Sequence, residues 1–382
     1  MPSTSLENVV VRFVGDSGDG MQLVGSQFTL ASAVAGNDLA TLPDFPAEIR
    51  APAGTTYGVS GFQLNFAQGH AFTPGDQPHA LVCMNPAALK KNLEDLILGG
   101  TIIANADAFT GRNLKLVDYT SNPLEDGSLE GYKVYAIPMT TLTVKALEGM
   151  DLDKKAARRC TNFFALGMVS WIYHRPTDPT LDFIAEKFAR KPVLAEANAT
   201  VFKAGYAYGE TVEAFAAPVV VPAADIPPGE YRTINGNQSL ALGLVTAAEK
   251  SGLDLIYAGY PITPASSILE ELAALKHMGV RTLQAEDEIA AIGMALGASF
   301  AGALGVTASS GPGICLKGEF LGLAVSTELP LVVVDVQRGG PSTGLPTKTE
   351  QSDLLLALYG RHGECPLPVL AARSPAEATA CP

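Results

Sequence analysis

The chain has 382 residues, enough for two or three domains, which excludes a single small disulfide-stapled module. Apolar residues make up 47% and charged residues 17%, below the roughly 25% of ordinary soluble domains, so much of the surface is expected to lie in a subunit interface. With 26 Lys and Arg against 39 Asp and Glu, the net charge of −13 lacks the electrostatic footprint for phosphate-backbone binding, and no nucleic acid is expected as a partner.

The start, MPSTSLENVVVRF, shows no basic segment followed by an apolar one, and no apolar run approaches a membrane span. A cytoplasmic chain with no membrane contact is therefore expected. VVVRFV (9–14) reads as a strand buried on both faces, GDSGDG (15–20) as the turn after it, and MQLVGSQFTLASAVAG (21–36) as a helix stopped by Gly36. HALVCMN (79–85), GTIIANAD (100–107) and YKVYAIPM (132–139) read as further strands, with the helical AALKKNLEDLI between the first two. Helices are expected over 156–173 and 181–190. In PVVVPAADIPPGEY (218–231), four prolines in fourteen residues favour an extended linker, which sets the domains at 1–215 and 232–382 with a Pro-rich linker over 216–231. Beyond it a helix (238–251), a strand (255–260), a turn PITPAS, a helix (267–279), the strand VRTLQAE, the helix EIAAIGMALGASFAG, the strand GVTASSGPG and the strand LPLVVVDV begin a second α/β unit. The fold class is α/β, with two halves that read as separate doubly wound domains.

Five scattered cysteines (Cys83, Cys160, Cys315, Cys365, Cys381) form no CxxC pair, so neither a disulfide framework nor a cysteine-ligated cluster can be written from this chain. The isolated histidines are expected to be packing or surface residues, and no metal site is expected. GDSGDG offers either a phosphate-cradling turn or a tight turn without a ligand: its spacing is neither the dinucleotide fingerprint nor a P-loop, and its two aspartates oppose an anion. FPAEIRAPAGTTYGVSGFQLNF (45–66) is either a rigid loop or a polyanion or subunit contact built around Arg50. In Tyr260-Pro261-Ile262-Thr263-Pro264-Ala265-Ser266-Ser267, prolines bracket Thr263 where a strand gives way to a helix, the usual ligand edge of an open α/β sheet. Ser266 or Ser267 is expected to cap that helix. Glu286, Asp287 and Glu288 read as a solvated helix start, with Glu288 set apart because it introduces the Ala/Gly-rich helix. Arg338 ends an apolar strand and enters RGGPSTGLPT, where a guanidinium can grip a carboxylate bidentately or bond loop carbonyls.

YPITPASS resembles the signature of the 2-oxoacid:ferredoxin oxidoreductases, and QAEDEIAAIGMALGAS (284–299), TASSGPG (307–313) and VVVDVQRGGPSTGLPTKTEQSDL (332–354) follow in that family's order. The front half, VRFVGDSGDGMQLVG with FPAEIRAPAGT, is similar to the family's γ domain, here fused ahead of an α portion, so the resemblance covers essentially the whole chain. It implies an N-terminal γ-type α/β domain followed by a doubly wound domain that binds the pyrimidine of thiamine diphosphate. It also implies Glu288 as the acid against N1′ of the aminopyrimidine. Thr263 and Arg338 would orient the substrate, with Thr347 at a position tied to substrate choice. Tyr260, Pro261, Ile262, Ser309, Ser310 and Gly311 would lie against the cofactor.

The implied activity is the CoA-dependent oxidative decarboxylation of a 2-oxoacid with ferredoxin reduction, or its reversal. The likeness is nearest in FPAEIRAPAGT and GLPTKTEQSDL to the 2-oxoglutarate branch, which forms succinyl-CoA. Pyruvate or branched-chain or aryl 2-oxoacids are the alternative substrates, and a non-catalytic CoA-binding or assembly subunit is the alternative of another class. A β subunit would bring Mg2+, the diphosphate half of the site and a [4Fe-4S] cluster, and would dock ferredoxin; a dimer of heterodimers is expected. Since the sequence ends at RSPAEATACP, the α half is expected to be incomplete at its C-terminus.

Overall fold

The computed structural model describes residues 4–46, 51–211 and 219–382; Glu48 and Arg50 lie outside the described residues. The chain divides into two units, Met1–Tyr231 and Arg232–Pro382.

The first unit opens with β1 (Thr4–Ser5), β2 (Asn8–Asp16), α1 (Met21–Val34), β3 (Asp38–Asp44), β4 (Val59–Ala67), β5 (Ala80–Cys83), α2 (Pro86–Asn92), β6 (Thr101–Asn105), α3 (Gly111–Leu116) and β7 (Lys133–Ile137). α4 (Met139–Ala146), α5 (Lys154–Arg159), α6 (Thr161–Ile172), α7 (Asp178–Lys187), α8 (Pro192–Thr211) and β8 (Val219–Val220) follow. Its six-stranded sheet has the order β3-β4-β2-β5-β6-β7. Strands β2, β5, β6 and β7 are parallel, but β4 runs antiparallel to both β2 and β3, so this half is a mixed sheet rather than a purely doubly wound one. The alternation of side chains along buried strands sorts the core into two layers. Ala80, Val82 and Ile103 join Phe13, Phe28 and the helices α6 and α8 on one side, while Leu81, Cys83, Ile102 and Ala104 face Ala88 and Leu89 of α2 on the other.

The helix expected over 156–173 is two helices, interrupted at Cys160. The Thr161 hydroxyl donates to the carbonyl of Arg158 at 2.8 Å and so satisfies one of the last carbonyls of α5. The Pro-rich segment after Pro218 is extended, yet its first half packs on this unit: β8 pairs with β1, Val221 is buried, and Asn37 Nδ2 donates to the Pro222 carbonyl at 2.7 Å. Buried Arg175 bonds Asn37 from the opposite side and lies over the Phe66 ring at 4.7 Å.

The GDSGDG turn is closed by its own carboxylates. Asp19 Oδ2 accepts the Asp16 N–H at 2.8 Å, Asp16 Oδ2 accepts the Gly54 N–H at 2.9 Å, and Gly20 adopts φ 75° where a Cβ would come within 2.5 Å of Asn162 Nδ2. Burial, with the neighbouring charge of Asp16 adding to it, pushes the Asp19 carboxyl up to about 6. Because the folded value lies above the ordinary 3.8, this group stabilises the fold most below pH 4 and the contribution is lost as pH rises through about 6. Asp19→Asn keeps the acceptor without the charge, so it should raise stability by about 1 kcal/mol above pH 7 and change little in acid. Urea melts at the two pH values check this.

The second unit contains α9 (Gly236–Ser251), β9 (Leu255–Gly259), α10 (Ser266–Ala274), β10 (Arg281–Gln284), α11 (Glu288–Phe300), β11 (Leu304–Ser309), α12 (Gly311–Leu316), α13 (Gly318–Ser326), β12 (Val332–Asp335), α14 (Leu354–Tyr359) and α15 (Pro375–Ala380). A capping box of Asn235 and Gln238 starts α9, and Gly252 at φ 69° ends it. The four strands are all parallel in the order β10-β9-β11-β12. Since β9 is followed by β10 on one side and β11 on the other, the order reverses between β9 and β11, and the crevice at their carboxyl ends is the expected ligand position of such a sheet. Among the described residues no helix is long and apolar enough to cross a membrane.

Candidate active site

Two segments flank that crevice: Tyr260–Thr263, which leaves β9, and Ser309–Gly311, which leaves β11. Tyr260 and Thr263 are exposed there, and the Thr263–Pro264 peptide is cis. The proposed serine caps are not formed. Helix α10 is preceded by Ala265 with no side-chain cap, because the Ser266 hydroxyl turns back to the Ile262 carbonyl at 3.1 Å and Ser267 accepts from Asn237 Nδ2 at 2.8 Å. The turn is thus held from the α9 side, by Asn237, rather than by the helix it precedes.

Arg338 reaches this turn from the end of β12. Nη1 donates to the Thr263 carbonyl at 2.8 Å and Nη2 to the Ser342 carbonyl at 3.0 Å, while Nε is buried without a partner. The guanidinium therefore meets the backbone of Thr263 and not its hydroxyl. Arg338 is only 5% exposed, and among the described residues no carboxylate pairs with it. A buried cation held, among the described residues, only by neutral groups, the two carbonyls and the Ser342 hydroxyl at 3.4 Å, leaves room for an anionic ligand.

Glu288 is the first residue of α11. Of the three adjacent acids it alone is buried; Glu286 is exposed, and Asp287 is the helix N-cap, its Oδ1 accepting the Ala290 N–H at 2.7 Å. The Glu288 side chain lies against Gly313, where a Cβ would meet Glu288 Cγ at 2.9 Å and Ser309 Oγ at 2.0 Å. Glycine at 313 thus lets the carboxyl pack at the end of β11. Among the described residues no protein group donates to the Glu288 carboxylate, and the hydroxyls of Ser309, beside it, and of the next residue Ser310 are buried without partners. These orphaned polar atoms and the glycine cradle fit a polar heterocycle at the crevice. Thr347 is half-buried on the loop that starts at Arg338, which folds back where the Gly339 N–H donates to the Lys348 carbonyl at 2.8 Å.

The sequence reading gave Lys317 no role. It is fully buried, and Nζ donates to the Glu288 carbonyl and to Thr307 Oγ1, both at 3.0 Å. Burial pulls its pKa down to about 8, opposed by the charges of Glu288 and Asp287. It fixes the first turn of α11 to the centre of the sheet. A single lysine in the run GICLKGEFLG carries no local signal of this.

Residues 10–208 match the family described as pyruvate ferredoxin/flavodoxin oxidoreductase, and residues 247–381 match the thiamine diphosphate-binding domain of pyruvate flavodoxin/ferredoxin oxidoreductases. The chain is 60% identical over 372 residues to the 2-oxoglutarate oxidoreductase subunit KorA of Mycobacterium tuberculosis, covering 97% of this chain and 57% of that protein. It is 48% identical over 132 residues to the 2-oxoglutarate synthase subunit KorA of Methanothermobacter marburgensis, covering 34% of each. It is also similar to the solved 2-oxoglutarate:ferredoxin oxidoreductase of Magnetococcus marinus with 2-oxoglutarate, coenzyme A and succinyl-CoA bound, at 33% identity and a TM-score of 0.77, over 94% of this chain and 57% of that one. The chain thus spans little more than half the length of the Mycobacterium tuberculosis and Magnetococcus marinus proteins. The match over 10–208 takes in more than half of the chain, which belongs to the pyruvate ferredoxin/flavodoxin oxidoreductase family.

Proposed function

We propose that this chain is the fused γ–α portion of a 2-oxoglutarate:ferredoxin oxidoreductase α subunit, acting in the CoA-dependent oxidative decarboxylation of 2-oxoglutarate to succinyl-CoA. The observation that carries the reading is Arg338, a buried guanidinium at the switch-point crevice beside Thr263, with no carboxylate partner among the described residues. An anionic substrate compensates that charge, and the two carbonyl bonds hold the fork in place to receive it. The match of 247–381 and the identity to the KorA subunits support the same assignment.

Thiamine diphosphate, when bound, would supply the nucleophilic carbon for attack on the 2-oxo group and a sink for the electrons left by CO2 loss. Glu288 would hold the proton at N1′ of its aminopyrimidine, and Ser309, Ser310 and Gly311 would line the ring with Tyr260, Pro261 and Ile262 across the crevice. Thr263 and Arg338 would fix the substrate carboxylate, and Thr347 would bear on its side chain. Mg2+, the diphosphate contacts, the [4Fe-4S] cluster and ferredoxin docking are assigned to a β subunit in a dimer of heterodimers. CoA is placed partly against the γ-type domain, in a cytoplasmic enzyme divided at residues 215 and 232. An acidic ferredoxin is repelled by a chain of charge −13, which favours docking on the partner.

The test is 2-oxoacid-dependent viologen reduction by this chain assembled with its partner subunit, thiamine diphosphate, Mg2+ and CoA. The expected result is the largest kcat/KM for 2-oxoglutarate. A larger value for pyruvate would overturn the substrate assignment, and no turnover with any 2-oxoacid would favour a non-catalytic CoA-binding or assembly role.

A further inference from the structure

The carboxyls of Asp335 and Asp353 meet at the end of β12. Asp335 closes that strand opposite Ser309, and Asp353 stands at the far end of the loop 338–352, which starts at Arg338 and carries Thr347. The Asp353 N–H donates to Gln337 Oε1 at 2.9 Å, and its carboxylate covers Gly311, where a Cβ would come within 2.4 Å of Oδ2. The two carboxyls are in hydrogen-bond reach of each other. Yet Asp335 Oδ1 and Asp353 Oδ2 are buried and receive no donor from the described residues. Two ionised carboxylates in contact without donors repel, whereas one proton between them supplies the missing donor.

We propose that Asp335 and Asp353 share one proton, and that this bond latches the end of the 338–352 loop to the strand edge, making the two acids positioning residues for Arg338 and Thr347. The latch stands on its own geometry; its effect on substrate rests on the reading of Arg338 given above.

Burial pushes Asp335 up to about 7, with the charge and hydrogen bond of Asp353 adding to it, and burial and the charge of Glu350 also raise Asp353. The other charged or titratable groups on the surrounding elements are Arg338 and Lys348 on the loop, Glu288 on α11, Cys315 on α12, Lys317 after it and Tyr359 on α14; the turn Ser309–Gly313 brings none. Because the folded value of Asp335 lies above its ordinary 3.8, the latch is complete in acid and opens as pH rises through about 7.

The experiment uses the full chain with Asp19→Asn, which removes the first unit's carboxyl held at about 6. In that background the thermal midpoint of the second unit should fall between about pH 5 and pH 8, and infrared spectra should show a protonated carboxyl that titrates near pH 7. Asp335→Asn and Asp353→Asn each supply a permanent N–H donor, so both should flatten the pH dependence and remove the infrared band. A band and a pH slope that survive in both variants would overturn the latch. Should neither variant fold, absence of the band in the unaltered pair at neutral pH would overturn it equally. In the assembled enzyme, KM for the 2-oxoacid should rise several-fold through pH 7 with kcat nearly constant, and D353N should abolish that rise. A latch seen on the chain with no change in KM would leave the shared proton standing and overturn the positioning of Arg338.

Discussion

Glu288→Gln is expected to leave the chain folded and to lower hydrogen exchange at the cofactor's thiazolium carbon by about 10²–10⁴-fold in the assembled enzyme, the range that general acid–base groups supply. The substitution is nearly isosteric, and it keeps the main-chain carbonyl that receives Lys317 Nζ at 3.0 Å, so the first turn of α11 stays tied to Thr307. No protein donor among the described residues is lost from the carboxylate, but its charge supports buried Lys317, so stability should fall by about 1 kcal/mol without loss of the fold. On the proposed reading, what is removed is the ability to exchange a proton with a ring nitrogen of the cofactor. Exposed Glu286 is the internal control, since Glu286→Gln should leave exchange untouched. Exchange in Glu288→Gln within threefold of the unaltered enzyme, with an intact fold, would take Glu288 out of the chemistry and leave its burial against Gly313 as packing.

The parallel strands of both sheets were legible because buried parallel strands are written as short β-branched runs: VVVRFV lies within β2 and VVVD is β12, whereas most of the antiparallel β4 falls inside the segment 45–66 read as a loop. Helix α11 was legible from its small-residue run. By contrast β3, DLATLPD, escaped notice because Pro43 and its polar residues argue against a strand, and Pro is tolerated at a sheet edge, where β3 lies. The 20-residue α8 was missed since its apolar positions are mostly Ala and Gly, whose meaning appears only when a second helix packs on them. At the site, positions next to strand ends could be read from topology: Thr263, Ser310 and Arg338 all follow the ends of parallel strands. Lys317, Asp335 and Asp353 could not, because each is defined by what lies opposite it in space. Ser309 and Asp335 are 26 positions apart and meet only through the register of β11 with β12.

Gly205→Ala should cost the first unit about 3 kcal/mol or more, although helix propensity alone favours the change by about 1 kcal/mol. A Cβ at 205 would lie 2.1 Å from the Phe164 carbonyl oxygen, and one at Gly167 would lie 2.0 Å from the Phe202 carbonyl oxygen. The two glycines thus let the backbones of α6 and α8 touch. Neither obstacle is a side chain that can swing away, so the helices would have to separate, and Phe163, Phe164, Val201 and Phe202, all buried at that crossing, would lose contact together. Against a domain stability of about 5–15 kcal/mol this is a large fraction of the margin. Trp171, the chain's one tryptophan, sits in α6 and reports this unit alone, so its fluorescence midpoint in urea should shift strongly downward. Gly297→Ala is the matched control: position 297 is exposed on α11 with nothing within 4 Å of a Cβ, and there propensity acts unopposed. It should stabilise the second unit by about 0.5–1 kcal/mol, without moving the tryptophan transition. A Gly205→Ala protein whose tryptophan midpoint matches or exceeds the original would mean that α6 and α8 do not cross at backbone contact.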